Sequence, residues 1–133
     1  MKSPILLFIY GSLKDGQYNN PVMHKLHATK LCNASTVKSH PLFMQRESYP
    51  WLQETPGTGL QIKGELWAVE EAMLPHFDRF EGVPNLYYRG TIEVNTPTGV
   101  VTANTYFRAE ARKLSAKQLE TVTFMSDYQG PKL

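Results

Sequence analysis

The chain contains only one cysteine, Cys32, in 133 residues, so it cannot form an internal disulfide. This excludes a small secreted domain held together by disulfides. The apolar run Ile5–Ile9 is far too short to span a membrane and is not followed by a small-residue cleavage site. Lys and Arg form no cluster and the net charge is only +2, so neither nucleic acid nor an anionic membrane is predicted as a partner. The expected location is the cytoplasm.

The composition is otherwise ordinary, with 41% hydrophobic and 20% charged residues, which is typical of a soluble globular protein. Two domains would each have a poor core at this length. We therefore expect one domain over residues 1–133. The residues from about Asp127 onward are polar and include Gly130 and Pro131, which predicts a loose C-terminal tail.

Hydrophobic patterning predicts several strands and few helices. The predicted strands cover residues 5–10, 29–37, 60–69, 87–94 and 100–107. The last two are expected to form a hairpin with a turn over residues 95–99. The predicted helices cover residues 21–26, 73–81 and 116–124. This balance favours an α+β domain built on a small barrel or a strongly curved sheet.

Glu81 is the side chain that most suggests chemistry. It ends a helical pattern, because Gly82 is a good C-cap and Pro84 prevents the helix from continuing. A carboxylate there faces the negative end of the helix dipole, which is a poor place for a residue that only solubilises a turn. Apolar and aromatic neighbours can desolvate it and raise its pKa. These residues leave two interpretations, a surface carboxylate and a general base.

The first strand runs into a turn formed by Tyr10, Gly11, Ser12 and Leu13. The N–H groups of such a turn can point together at an anion, although a plain β-turn fits the sequence as well. Ser12 is not predicted to be a nucleophile, because the chain has no Gly-x-Ser-x-Gly elbow and nothing places a histidine beside it.

Other polar residues have simpler interpretations. Arg89 is expected to form a structural ion pair, and Asp78 to pair or cap locally rather than to act with Glu81 as a carboxylate pair. His24 and His27 would be two metal ligands without a third, so no metal site is predicted. No cofactor is predicted either, because the chain has no nucleotide-binding motif.

Segments in matching order resemble the gamma-glutamylcyclotransferase-like (AIG2-like) family. They are residues 10–14, residues 64–69 (Gly-Glu-Leu-Trp-Ala-Val) and residues 78–89 (Asp-x-Phe-Glu-Gly-x-Pro-x-x-Tyr-x-Arg). The resemblance covers roughly residues 5 to 108. Segments 14–20, 50–52 and 56–59 make the chain most similar to the gamma-glutamylamine cyclotransferase branch. The resemblance implies a small mixed β-barrel flanked by short helices.

The resemblance also implies roles for individual residues. Glu81 would be the single general acid/base. The substrate-binding residues would be Tyr10, Gly11, Ser12, Leu13 and Tyr88. Whether Tyr87 or Tyr88 faces the site is open, because the sequence does not fix the register of their strand.

The resulting hypothesis is an enzyme that cleaves a γ-glutamyl amide, such as γ-glutamyl-ε-lysine. The substrate's α-amino group would attack the γ-carbonyl and release 5-oxoproline and an amine, without metal or cofactor. A cyclotransferase for γ-glutamyl amino acids and a non-catalytic module that binds a small ligand remain alternatives. A glycoside-type hydrolase using Asp78 and Glu81 lacks a convincing second acid. The segment between Tyr49 and Gly59 is short, which leaves the specificity open, and the sequence indicates no oligomeric state.

Overall fold

The computed structural model describes residues 3–45 and 49–133 and contains a closed barrel of five strands. The strands of the chain are β1 Ile5–Ile9, β2 Thr29–Thr36, β3 Leu42–Phe43, β4 Trp51–Leu52, β5 Lys63–Val69, β6 Tyr87–Thr96 and β7 Gly99–Arg108. The barrel order is β1-β5-β2-β6-β7, and the short strands β3 and β4 pair separately. Neighbouring barrel strands are antiparallel except β1 and β7, which are parallel. The predicted small mixed barrel is confirmed.

Short helices flank the barrel. They are α1 Pro21–Lys25, α2 Leu74–Phe80 and α3 Ala116–Leu119, with single 3-10 turns at Glu71–Met73 and Glu110–Arg112. A capping box begins α3, since Ser115 and Gln118 each bond the other's backbone N–H. No helix in the described part of the chain combines the length and apolar character that crossing a bilayer requires.

Alternation along β1 divides the core into two clusters. Phe8 packs with one cluster, and Leu7 and Ile9 pack with the other, which also contains Phe77 of α2 and Met23 of α1. The cluster around Leu7 and Ile9 includes the helix residues, so it covers the outside of the barrel. The cluster around Phe8 fills the interior of the barrel. The continuous apolar pattern of β1 therefore reflects burial on both faces of the strand.

The hairpin and the ends of some elements differ from the prediction. β6 and β7 extend to Thr96 and Gly99, so Pro97 and Thr98 alone connect them instead of a loop over 95–99. Gly99 adopts a φ of 127°, which allows the tight turn. β5 begins at Lys63, since residues 60–62 form only one isolated bridge, Leu60 with His40. Helix α3 ends at Leu119, well before Phe124.

The C-terminal residues pack against the barrel, which corrects the expectation of a loose tail. Lys14 Nζ donates to Asp127 Oδ1 and to the Tyr128 carbonyl, each at 2.7 Å. The Gly130 N–H donates to Gln17 Oε1 at 2.9 Å. Tyr128 is only 3% exposed. Composition suggested disorder because the tail is polar, but its polar groups find partners in the segment that follows β1.

Candidate active site

Helix α2 delivers Glu81 to one rim of the barrel. The Glu81 N–H donates to the Phe77 carbonyl at 2.9 Å, so the residue closes the helix as its C-cap. Gly82 follows with a φ of 69°, the left-handed conformation that ends helices. Its Cα lies against Leu86, since a Cβ there would be 2.9 Å from Leu86 Cδ1. The helix therefore ends at this glycine, as predicted from Gly82 and Pro84, and β6 begins at Tyr87.

The turn after β1 lies opposite. The Lys14 N–H donates to the Gly11 carbonyl at 3.1 Å and closes the turn. Asn19 supports it, with its N–H on the Ser12 carbonyl at 3.1 Å and its side-chain amide on Ser12 Oγ at 3.0 Å. Within residues 3–45 and 49–133, no acceptor engages the N–H groups of Gly11, Ser12 or Leu13. These donors remain available to a ligand.

A pocket of about 170 Å³ lies between the turn and Glu81. All four turn residues, 10–13, line it. Its remaining wall is mainly aromatic and apolar, with Tyr18, Tyr49, Phe80, Leu86, Tyr87 and Tyr106. The structure thus brings the two predicted segments to one cavity, although they are far apart in the chain. The volume suits a small molecule.

Glu81 has the character of a proton-transfer group. Burial raises its pKa to about 8, because the charged form loses solvation inside the apolar wall. Its side chain is only partly covered and so still reaches the pocket. In the described part of the chain, no cation pairs with it and no donor bonds its carboxyl. Such a carboxyl can both accept and donate a proton near neutral pH.

A hydrogen-bonded network lies beside Glu81. The Arg89 guanidinium donates to both oxygens of Asp78, at 3.0 and 3.2 Å, and the Tyr106 hydroxyl donates to Asp78 Oδ1 at 2.6 Å. Burial alone would raise the pKa of Asp78, but the bonds from Arg89 and Tyr106 outweigh burial and hold that pKa below its usual value. The predicted local pairing of Asp78 and Arg89 is confirmed, and Asp78 is not a second acid for Glu81.

The register of β6 settles which tyrosine faces the pocket. Tyr87 lines it, donates its hydroxyl to the Pro50 carbonyl at 2.6 Å and stacks on Trp51 with centroids 4.9 Å apart. Tyr88 points to the opposite face of the strand, where it packs near Phe107 and donates to Glu54. Tyr88 is therefore not placed in the pocket. The Tyr-x-Arg spacing already pointed to Tyr87, which lies two residues before Arg89.

Several wall residues had no predicted role. Tyr106 could have been found from the hairpin, because it pairs directly with Arg89 across β6 and β7. Phe80 lies inside the motif that carries Glu81 and is exposed at the pocket mouth. Tyr18, Asn19 and Tyr49 lie in loops, where the sequence has no periodicity to indicate direction.

The two histidines considered as metal ligands have other structural roles. His24 packs edge-on against Trp67, with centroids 6.2 Å apart, and contacts Asn20 at 3.2 Å. His27 ends the α1 segment with a φ of 58°. The described residues contain no group of three His, Cys, Asp or Glu that could hold a metal ion.

The fold and the pocket define a small mixed barrel with a ligand-sized cavity at its rim. The sequence profile described as "Gamma-glutamyl cyclotransferase, AIG2-like" matches residues 7–127. The chain belongs to this family.

Known relatives agree with this assignment. The gamma-glutamylaminecyclotransferase of Rattus norvegicus is 43% identical over 93 residues, which cover 66% of this chain and 62% of that protein. The Homo sapiens protein of the same name is 40% identical over 93 residues, covering 67% of this chain and 61% of the relative. The chain thus matches a little over three-fifths of each relative's length. The crystal structure of an AIG2-like protein from Mus musculus superposes with a TM-score of 0.85 at 30% identity, covering 96% of this chain and 90% of that one.

Proposed function

We propose that this protein is a gamma-glutamylamine cyclotransferase in which Glu81 is the single general acid/base. The observation that carries the proposal is that the partly covered Glu81 and the turn at residues 11–13 line the same apolar pocket, and that within residues 3–45 and 49–133 neither the Glu81 carboxyl nor the N–H groups of the turn have a hydrogen-bond partner. The names of the rat and human relatives support the same activity.

The turn binds the anionic part of the substrate. A γ-glutamyl group carries an α-carboxylate, and backbone N–H groups without a protein acceptor, such as those of residues 11–13, can hold such an anion or a developing oxyanion. Gly11 lies close to Pro50, since a Cβ there would be 3.3 Å from Pro50 Cγ. Pro50 is in turn fixed by Tyr87 through its carbonyl. This packing holds the turn rigid, so the substrate is oriented for an intramolecular reaction.

Glu81 moves the protons. Its carboxylate accepts a proton from the substrate's α-ammonium, and the freed nitrogen attacks the γ-carbonyl carbon. As the γ-amide C–N bond breaks, Glu81 gives this proton to the departing nitrogen. The ring nitrogen must lose a second proton to become the lactam N–H, and Glu81 passes that proton to the released amine, which leaves as an ammonium. The products are 5-oxoproline and a free amine, and Glu81 returns to its starting state. A pKa of about 8 suits both steps, because the group changes protonation close to the working pH.

The pocket wall favours an amine over an amino acid as the leaving group. None of the described residues that line the pocket is Lys or Arg. In a γ-glutamyl amino acid, a carboxylate sits next to the scissile nitrogen. Placing it among aromatic side chains beside Glu81 would desolvate it without a counter-charge. The proposed substrate class is therefore γ-glutamylamines, with γ-glutamyl-ε-lysine as its first representative.

The lone thiol Cys32, partly buried against the barrel interior, needs no oxidising compartment. On that basis we propose a cytoplasmic location. We also propose that residues 1–133 form a single domain that acts on a small molecule.

A substrate panel tests the activity. We expect purified protein to release 5-oxoproline from γ-glutamyl-ε-lysine and at least about tenfold less from γ-glutamyl-alanine, the matched control that carries the adjacent carboxylate. Equal release from both would assign the protein to γ-glutamyl amino acids. Release from neither, with retained binding of γ-glutamyl compounds, would identify a non-catalytic binding module.

A further inference from the structure

The Asp78–Arg89 pair lies one helical turn from Glu81. Asp78 and Glu81 are three residues apart at the end of α2, a spacing that puts their Cβ atoms roughly 5–6 Å apart. The Arg89 guanidinium, brought in by β6, contacts both oxygens of Asp78. The cation is therefore held by the carboxyl that lies one helical turn before Glu81.

Tyr106 shows that the three charges share one neighbourhood. Its ring lines the pocket and its hydroxyl bonds Asp78 at 2.6 Å. Burial, the bond to Asp78 and the nearby charges of Asp78 and Glu81 raise the pKa of Tyr106 well above its usual value, while the charge of Arg89 lowers it. Asp78, Glu81 and Arg89 therefore all act on the same hydroxyl.

The titratable and charged groups around Glu81 come from every element that packs there. They are Tyr10 from the turn after β1, Tyr18 and Tyr49 from loops, Asp78 from α2, Tyr87 and Arg89 from β6, and Tyr106 from β7. The remaining basic side chains of α2, His76 and Arg79, are exposed. Within residues 3–45 and 49–133, Arg89 is the only cation in this set, and it donates two hydrogen bonds to Asp78.

We propose that Asp78 is a positioning residue that keeps Arg89 away from Glu81, so that the catalytic carboxyl has no cationic partner. The inference extends the proposed function, since it explains how one acidic side chain protects the chemistry of another. An arginine released next to Glu81 would stabilise its charged form. Glu81 would then be a weaker base toward the substrate ammonium and would rarely carry the proton that the leaving amine needs.

The test follows Glu81 directly, by carbon-13 NMR titration of protein labelled at glutamate, with Glu81→Gln to assign the signal. In the wild type we expect a midpoint of about 8. Asp78→Asn keeps the shape of the side chain but weakens its hydrogen bonds to Arg89. This substitution should lower the Glu81 midpoint by about one pH unit or more. Asp78→Asn/Arg89→Met removes the released cation and should restore the wild-type midpoint. Asp78→Glu keeps the acid and should leave the midpoint unchanged.

Activity gives a second readout. The acid limb of kcat/KM against pH should move with the Glu81 midpoint in each variant, and kcat of Asp78→Asn should fall about tenfold and recover in the double variant. A merely structural role for Asp78 would lower activity without moving the limb. It would also predict no recovery on removing Arg89.

The outcomes separate this inference from the proposed function. The proposed role of Asp78 is overturned if a folded Asp78→Asn protein has an unchanged Glu81 midpoint. It is also overturned if the Glu81 midpoint falls as far in Asp78→Asn/Arg89→Met as in Asp78→Asn. If the Glu81 midpoints follow the expected pattern but no variant releases 5-oxoproline, the positioning role of Asp78 is upheld and the cyclotransferase activity is refuted. If Asp78→Asn alone does not fold, Asp78→Ser/Arg89→Lys and Asp78→Ser/Arg89→Met make the same comparison, because only the first retains a cation.

Discussion

Glu81→Gln should retain substrate binding and lose turnover by about 10²- to 10⁴-fold, the usual contribution of a general acid/base. The amide has nearly the same shape as the carboxyl, so the pocket and the turn at residues 11–13 stay in place. It can neither accept the ammonium proton nor donate one to the leaving amine. The measurement is kcat for 5-oxoproline release from γ-glutamyl-ε-lysine, with calorimetry to follow binding of the same substrate.

Glu70→Gln is the matched control. Glu70 is an exposed carboxylate just before the 3-10 turn that leads into α2, and it does not line the pocket. We expect its turnover to stay within about twofold of the wild type, because an exposed surface substitution away from the site changes little. Turnover of Glu81→Gln close to that of Glu70→Gln would remove Glu81 from the mechanism.

Gly64→Ala should destabilise the fold by about 3 kcal/mol, the upper end of the cost of overfilling a packed core. A Cβ at Gly64 would lie 2.4 Å from the Ile9 carbonyl oxygen and 2.6 Å from the Phe8 ring. The carbonyl cannot easily retreat, because Phe8 and Ile9 pair with Leu66 and Glu65 across β1 and β5. Urea denaturation followed by circular dichroism gives the free energy of unfolding.

Gly57→Ala separates crowding from backbone strain. Gly57 has a φ of 94° and open space around its Cα, so alanine there meets only the backbone penalty of about 1–2 kcal/mol. We expect Gly64→Ala to be the more destabilising of the two. The reverse order would mean that β1 and β5 separate easily, and the turn after β1 would then lose its rigid support.

The fold could be predicted from the sequence where pattern and geometry coincide. Three elements lie close to their predicted positions because their local sequence fits only one type of structure. They are the apolar strand β1, the alternating strand β5 and the helix that ends before Gly82. A glycine within a strand pattern marks a bend or a close approach, and Gly64 marks a close approach, because a Cβ there would clash with the Ile9 carbonyl oxygen. The prediction of a mixed barrel rested on the family resemblance, because local hydrophobic patterns do not determine the order of strands in a sheet.

Errors arose where long-range contacts decide the conformation. The tail was expected to be loose, since polarity alone does not reveal that Lys14 and Gln17 supply partners for Asp127 and Gly130. The resemblance implies Tyr88 at the site, but strand alternation lets only one of two adjacent residues face the pocket, and that residue is Tyr87.

Part of the candidate site could be predicted from the sequence. Glu81 and the turn at residues 10–13 could be named, because a glycine turn and a badly placed carboxylate are local features. The aromatic wall could not, since Tyr18, Tyr49 and Tyr106 reach the pocket from three separate segments. The sequence predicts Arg89 as an ion-pair residue, but only the fold shows that its partner is Asp78, one helical turn before Glu81.

The central claim is that the substrate's own α-nitrogen, rather than water, attacks the γ-carbonyl. It is tested most directly by incubating wild-type protein and γ-glutamyl-ε-lysine in water labelled with oxygen-18 and analysing the products by mass spectrometry. We predict free lysine and 5-oxoproline without the heavy isotope. Glutamate carrying oxygen-18 would instead show hydrolysis by water and contradict the cyclisation mechanism.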